Sequence, residues 1–260
     1  MNYLPEVIQI AEQAGEAIMA IYQQDNTAFN ITDKADASPL TAADLAAHQL
    51  IVSGLTKLTP DLPILSEEAA DISWQKRKAW QQYWLVDPLD GTKEFIQRNC
   101  EFTVNIALIA AGEPILGVVY APALQKLYYA SKNQGAFLKQ AQTIRRLSVN
   151  TKARDNGIIV VGSRSHPSPK LAECLSQLPQ HSLLPVGSSL KFCLLAEGCA
   201  DLYPRLGPTM QWDTAAGHII ALEAGAIVQF AGLDSKVYHR KSLLNPEFIV
   251  SARPFPVHLS

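Results

Sequence analysis

The hydrophobic period of this chain changes twice along its length, and that order limits the folds open to it. Over residues 5–24, Val7, Ala11, Ala14, Ile18, Ile21 and Tyr22 recur at helical spacing and share one face. Pro5 suits the first turn of such a helix. Thr41, Ala42, Ala43 and Asp44 have the form of a capping box, so a second helix starts there. It runs through Leu45, Ile51 and Leu55 and stops at Pro60. The pattern then shortens: residues 63–66, 83–86, 103–110, 115–120 and 127–130 read as strands, with a hairpin turn over 111–114. Beyond about residue 150, strands at 158–161, 201–203 and 226–230 alternate with helices over 169–178, 190–197 and 213–223.

That order predicts an α+β half, residues 1–150, joined to an α/β half, residues 151–260. No low-complexity segment or flexible linker separates them, so two closely packed subdomains with a site between them are expected.

Composition excludes several classes. The net charge of −2 provides no basic excess to hold a nucleic-acid polymer by counterion release, although a small nucleotide is compatible with it. No apolar run approaches the roughly 20 residues that span a bilayer. The N-terminus lacks the basic-then-apolar order of a signal peptide, so a cytoplasmic protein is expected. Cys100, Cys174, Cys193 and Cys199 have no zinc-ligand spacing and read as free, mostly buried thiols. No partner protein is implied.

The informative chemistry begins at Asp87-Pro88-Leu89-Asp90-Gly91-Thr92, directly after an apolar strand. Proline fixes one backbone angle and removes a donor, so the chain turns at the strand end and both carboxylates can face one pocket, with the Leu89 carbonyl beside them. Such hard oxygen ligands suit Mg²⁺. Gly91 permits close approach ahead of a short helix whose N–H groups would favour phosphate. Glu67-Glu68 ends another strand, and Asp213 opens a helix as a candidate N-cap. Taken singly, a Glu-Glu pair is ordinarily solvated and an Asp at a helix start is ordinarily a cap. His48 and His218 likewise read as structural.

Together these segments resemble the inositol monophosphatase superfamily in order, spacing and flanking residues: Glu67-Glu68, the 87–92 segment, and Trp212-Asp213 followed by Ala215-Ala216-Gly217. Lys34, Ser38-Pro39, Thr41, Ala43 and Asp44 match its N-terminal signature, and the likeness covers essentially the whole chain. Ser163-Arg164-Ser165-His166, the run from Gly187 to Cys193, and Leu202-Tyr203-Pro204-Arg205 look like its bisphosphate nucleotidase branch.

The resemblance implies a layered α/β/α/β/α sandwich. It also implies Mg²⁺-dependent removal of the 3′-phosphate of adenosine 3′,5′-bisphosphate, in nucleotide recycling and sulfur assimilation, with the 5′-phosphosulfate analogue as a further substrate. Glu67, Asp87 and the Leu89 carbonyl would hold a first Mg²⁺. Asp87, Asp90 and Asp213 would hold a second, and a weaker third would lie near Glu67. Asp44 and Thr92 would orient and deprotonate a metal-bound water, Glu67 would count with them among the catalytic residues, and Li⁺ would inhibit. Glu67, Leu89, Asp90, Gly91, Thr92 and Asp213 would also line the substrate. The branch's loose attachment to the inner membrane has no visible basis in these residues.

Substrate choice turns on charge. Inositol-cleaving relatives present an acidic residue ahead of the Trp-Asp motif, where this chain has Arg205; Lys191 adds a second cation, and Ser188, three residues before it, would also line the substrate. Both cations would suit a second, non-reacting phosphate, whereas the plainer reading of each is a surface charge. The alternatives are an inositol or sugar monophosphatase of the same superfamily, and an inactive metal- or nucleotide-binding regulator.

Overall fold

The computed structural model describes residues 3–33, 39–164, 169–257 and 259. Helices α1 (Leu4–Tyr22) and α2 (Ala42–Leu58) flank a two-strand ribbon of β1 (Thr32–Asp33) and β2 (Pro39–Leu40). The capping box is formed as expected, with Thr41 as N-cap and Asp44 at the third helical position. Leu45, expected on the apolar face of α2, is exposed; Ala43, Ala47, Ile51 and Leu55 make the buried stripe.

A seven-stranded sheet follows in simple sequence order: β3 (Ile64–Ser66), β4 (Gln82–Asp90), β5 (Thr103–Ala110), β6 (Glu113–Ala121), β7 (Lys126–Ser131), β8 (Gly135–Gln140) and β9 (Thr143–Arg146). Only β3 and β4 pair in parallel; the remainder is an antiparallel meander. Short helices α3 (Trp74–Arg77) and α4 (Thr92–Ile96) interrupt it. The β5–β6 hairpin lies where Ala111-Gly112 predicts it, with both residues at positive φ, as a tight two-residue turn requires.

The second sheet has five strands in the order β11-β10-β12-β14-β13. It is built from β10 (Ile158–Ser163), α5 (Pro169–Ser176), β11 (His181–Val186), α6 (Leu190–Ala196), β12 (Leu202–Arg205), α7 (Gln211–Glu223), β13 (Ile227–Phe230) and β14 (Phe248–Ser251). Helices α1 and α2 cover the outer face of the large sheet, α6 and α7 lie between the sheets, and α5 contacts the small sheet. These layers are the expected α/β/α/β/α sandwich.

Helix α7 packs directly over Gly117 of β6, where there is no room for a side chain. A Cβ there would lie 2.6 Å from the Ala216 carbonyl and 2.5 Å from Ile219. Ala215, Ala216, Ile219 and Ile220 are buried in a core that takes residues from both sheets. Each fully buried Ile adds about 1.5–3 kcal/mol, so the helix that carries Asp213 is fixed against the sheet whose strand β4 carries Asp87 and Asp90.

Candidate active site

Asp87 and Asp90 both belong to β4. In a regular strand, residues three apart face opposite sides. Here Asp87 pairs with Asn105 and Asp90 with Thr103, so three steps along β4 match two along β5. That bulge brings Asp87, Asp90, Thr103 and Asn105 onto one face. Pro88 sits inside the bulge, where the absence of an N–H costs no ladder bond. The Leu89 N–H turns back to donate to Asp87 Oδ1 at 3.1 Å. Gly91 then takes φ 92°, and a Cβ there would lie 3.0 Å from the Glu101 carbonyl. Helix α4 starts at the next residue, as expected.

Glu67 is the first residue after β3, in a short turn, and Asp213 is the third residue of α7. Met210, not Asp213, is the N-cap; the Asp213 carboxylate reaches back and accepts the Met210 N–H at 2.8 Å. Glu67, Asp87 and Asp213 each present an oxygen within 4.8 Å of the others, a set able to hold a metal ion. Asp90 stands outside that triad. Its Oδ2 accepts from Ser189 Oγ at 3.0 Å and from Asn105 Nδ2 at 3.4 Å.

Burial and then mutual repulsion govern these groups. Asp87 is pushed well above the usual carboxylate range by desolvation first, and next by Glu67, Asp90 and Asp213. Asp213 is pushed up by desolvation, then by Asp90 and Glu67. Asp90 is raised by burial, with Lys191 and the Ser189 hydrogen bond opposing the rise. Oxygen donors that destabilise one another in this way are a set that a divalent cation would relieve.

Thr92 Oγ1 lies 3.3 Å from Asp44 Oδ1 and 3.3 Å from the Leu89 carbonyl. Asp44 is fixed by its other oxygen, Oδ2, which accepts the Thr41 N–H at 2.7 Å and the Thr41 hydroxyl at 2.6 Å. The structure therefore brings this predicted pair together.

A cavity of about 420 Å³ opens beside these groups. Its lining includes Glu67, Asp90, Gly91 and Thr92 from one end of the large sheet, with Ser188, Lys191, Arg205 and Asp213 from the chain after residue 151. Lys191 is not a surface charge: it is 6% exposed. Its Nζ donates to the carbonyls of Val186 and Ser188 and lies 5.6 Å from the centre of the Tyr203 ring. Burial lowers its pKa to about 8, against the opposing pull of Asp90. Arg205 Nη2 donates to the Pro208 carbonyl at 2.6 Å, while its buried Nε has no hydrogen-bond partner. Ser188 holds φ 47°, and its Oγ lies 3.1 Å from Thr103 Oγ1.

Several lining residues were not among the predicted site residues: Lys93, Glu94, Ser189, Thr209 and Met210. The signal for Asn105 and Thr103 was present, as two polar side chains at period two in an otherwise apolar strand. His48 bonds Ser66 through Nδ1 at 2.9 Å, and His218 lies in the core against Tyr238. Lys34, Ser38, Ser165 and His166 of the sequence signatures lie outside the described residues. The four cysteines are free, but only Cys193 is buried; Cys199 is exposed and the other two are intermediate, contrary to expectation.

Carboxylates converging at a strand end and a helix start, over a cavity between two sheets of a layered α/β sandwich, define a phosphomonoester hydrolase. The chain belongs to the inositol monophosphatase family, whose profile matches residues 3–254. Enzymes of this family are metal-dependent, and the acidic cluster is in place here. The 3′(2′),5′-bisphosphate nucleotidase CysQ of Salmonella typhimurium is 53% identical over 249 residues, which cover 95% of this chain and 99% of that protein. The crystal structure of CysQ from Bacteroides thetaiotaomicron superposes with a TM-score of 0.83 at 42% identity, over 96% of this chain and 97% of that one. An inositol monophosphatase of Thermotoga maritima gives a TM-score of 0.76 at 27% identity, over 94% and 90% of the two chains.

Proposed function

We infer that this chain is a 3′(2′),5′-bisphosphate nucleotidase that removes the 3′-phosphate of adenosine 3′,5′-bisphosphate. The observation that carries this reading is the pairing of converging carboxylates with Lys191 and Arg205 around one cavity, in a chain 53% identical to such a nucleotidase.

Glu67, Asp87 and the Leu89 carbonyl would hold one Mg²⁺, and Asp87, Asp90 and Asp213 a second, with a weaker third ion near Glu67. The all-oxygen donor set and the raised carboxyls of Asp87 and Asp213 fit that assignment. Bound Mg²⁺ supplies charge for the phosphoryl oxygens and makes water more acidic. The chain's own part is positioning and proton movement. Thr92 Oγ1, 3.3 Å from Asp44 Oδ1, accepts a proton from the attacking water and passes its own to Asp44. Thr41 holds Asp44 in that orientation. Arg205, which lines the cavity, brings its guanidinium to the phosphate that stays on the product. Lys191 keeps the Val186–Ser188 turn in place and adds positive charge beside it.

Li⁺ is close to Mg²⁺ in size with half its charge, so Li⁺ in the Asp90–Asp213 site would inhibit. A phosphate-release panel tests the assignment. Adenosine 3′,5′-bisphosphate should be turned over well ahead of inositol 1-phosphate, and the reverse order would make the chain an inositol phosphatase.

A further inference from the structure

Ser189 and Asn105 have no role in the reading above, yet they lie at its centre. Both are almost fully buried, at 2% and 1% exposure. A buried hydroxyl or amide is costly unless its hydrogen bonds are made. Here they are. Ser189 Oγ lies 2.6 Å from the Asp213 carbonyl oxygen and 3.0 Å from Asp90 Oδ2. Asn105 Nδ2 donates to Ser189 Oγ at 2.9 Å and points to Asp90 Oδ2 at 3.4 Å. Asn105 Oδ1 accepts from the Thr103 hydroxyl at 2.9 Å. The carboxylate on one side and the hydroxyl donor on the other fix the amide's orientation.

The serine hydroxyl has one proton and two acceptors, and the shorter contact is to the Asp213 carbonyl. The Asn105 amide nitrogen faces both Ser189 Oγ and Asp90 Oδ2. Whichever way the serine proton points, Asp90 Oδ2 keeps a donor. Ser189 and Asn105 together therefore tie the end of β4 to the first turn of α7, two elements more than a hundred residues apart in sequence. Like charges at Asp90 and Asp213 push those ends apart. A lysine bridge would hold them but would also compete with a cation, whereas a serine and an asparagine hold them without adding charge.

We propose that Ser189 and Asn105 are positioning residues that fix Asp90 relative to Asp213 and thereby set the affinity for the divalent cation. The proposal rests on the metal reading of the site given above. Outer-shell hydrogen-bond partners of metal ligands are worth about 10–100-fold in metal affinity.

The test is a Mg²⁺ titration of EDTA-stripped protein, read by calorimetry and by melting temperature, on wild type, Ser189→Ala and Ser189→Thr. Ser189→Ala should weaken Mg²⁺ binding about 10–100-fold, and the buried partners it leaves unpaired should also lower the melting temperature in EDTA. Ser189→Thr, which keeps the hydroxyl, should recover most of the affinity. Mg²⁺ affinity in Ser189→Ala within twofold of wild type would overturn the proposal, whatever happens to stability. Asn105→Leu, near-isosteric and without donors, serves the same comparison should Ser189→Ala not fold. Wild type that binds no Mg²⁺ would overturn the metal reading itself, an outcome separate from failure of the Ser189 variants alone.

Discussion

Thr92 Oγ1 sits 3.3 Å from Asp44 Oδ1, joining the first residue of α4 to the first turn of a helix 48 positions earlier. Asp44 thus has two tasks, because its Oδ2 completes the α2 capping box while its Oδ1 faces Thr92. Thr92→Val keeps the shape and removes the relay. It should lower kcat by about two to four powers of ten and leave KM and the melting temperature nearly unchanged. Steady-state kinetics with a parallel melt distinguishes this from a folding defect, which would move both.

Asp213→Asn should separate stability from activity. Its carboxyl is raised by burial, Asp90 and Glu67, so the charged form is unfavourable without a cation. An Asn retains an acceptor for the Met210 N–H. In EDTA the variant should melt above wild type, by roughly 2–4 °C for each kcal/mol of repulsion relieved. It should lose most of the stabilisation Mg²⁺ gives wild type by mass action. A lower melting temperature in EDTA would mean that the Asp213 cap outweighs the repulsion.

Arg205 and Lys191 differ in what they should do when removed. Arg205 lines the cavity and brings its guanidinium charge to it. A hydrogen bond to a charged group contributes about 1.5–3 kcal/mol, so Arg205→Ala should cost kcat/KM about one to two powers of ten on adenosine 3′,5′-bisphosphate. The loss should be much smaller on a monophosphate. Lys191 already donates to two backbone carbonyls. Lys191→Ala should therefore lower the melting temperature as well as activity. Equal losses on both substrates for Arg205→Ala would remove its specificity role.

His218 should govern part of the acid stability. Burial lowers its pKa from 6.5 to about 3, and it is 5% exposed against the Tyr238 hydroxyl. Below pH 6.5 the unfolded chain takes up a proton at this site that the folded chain refuses. Its contribution is therefore intact above that pH and is lost as pH falls toward 3. Between pH 6.5 and 5 the loss should be about 2 kcal/mol, at about 1.4 kcal/mol per pH unit. Denaturant midpoints for wild type and His218→Gln at those pH values measure it; parallel slopes would show that other groups dominate.

The local signals were legible and the long-range ones were not. The Thr41 capping box, the β5–β6 turn and the strand-to-helix step at Gly91 are set by neighbours in sequence, and each formed where expected. Strands β9 and β11 are largely exposed edges without an apolar alternation, and β14 has only three apolar residues followed by Ser251, too short a run to show a period. Their strand character comes from pairing. Asp87 and Asp90 could be read as converging because of Pro88, but the bulge that turns them to one face appears only in the register with β5. The burial of Lys191 and the Ser189–Asn105 bridge depend on segments far apart in sequence, and the polar pair Thr103 and Asn105 was the bridge's one local trace.

The most direct test of the account is the product of a single reaction. Adenosine 3′,5′-bisphosphate is incubated with the protein in Mg²⁺, and in excess EDTA, and the nucleotide products are separated by chromatography. Adenosine 5′-monophosphate and one equivalent of phosphate should form with Mg²⁺, stop in EDTA, and return when Mg²⁺ is restored. Turnover that persists in excess EDTA, or adenosine 3′-monophosphate as the product, would contradict it.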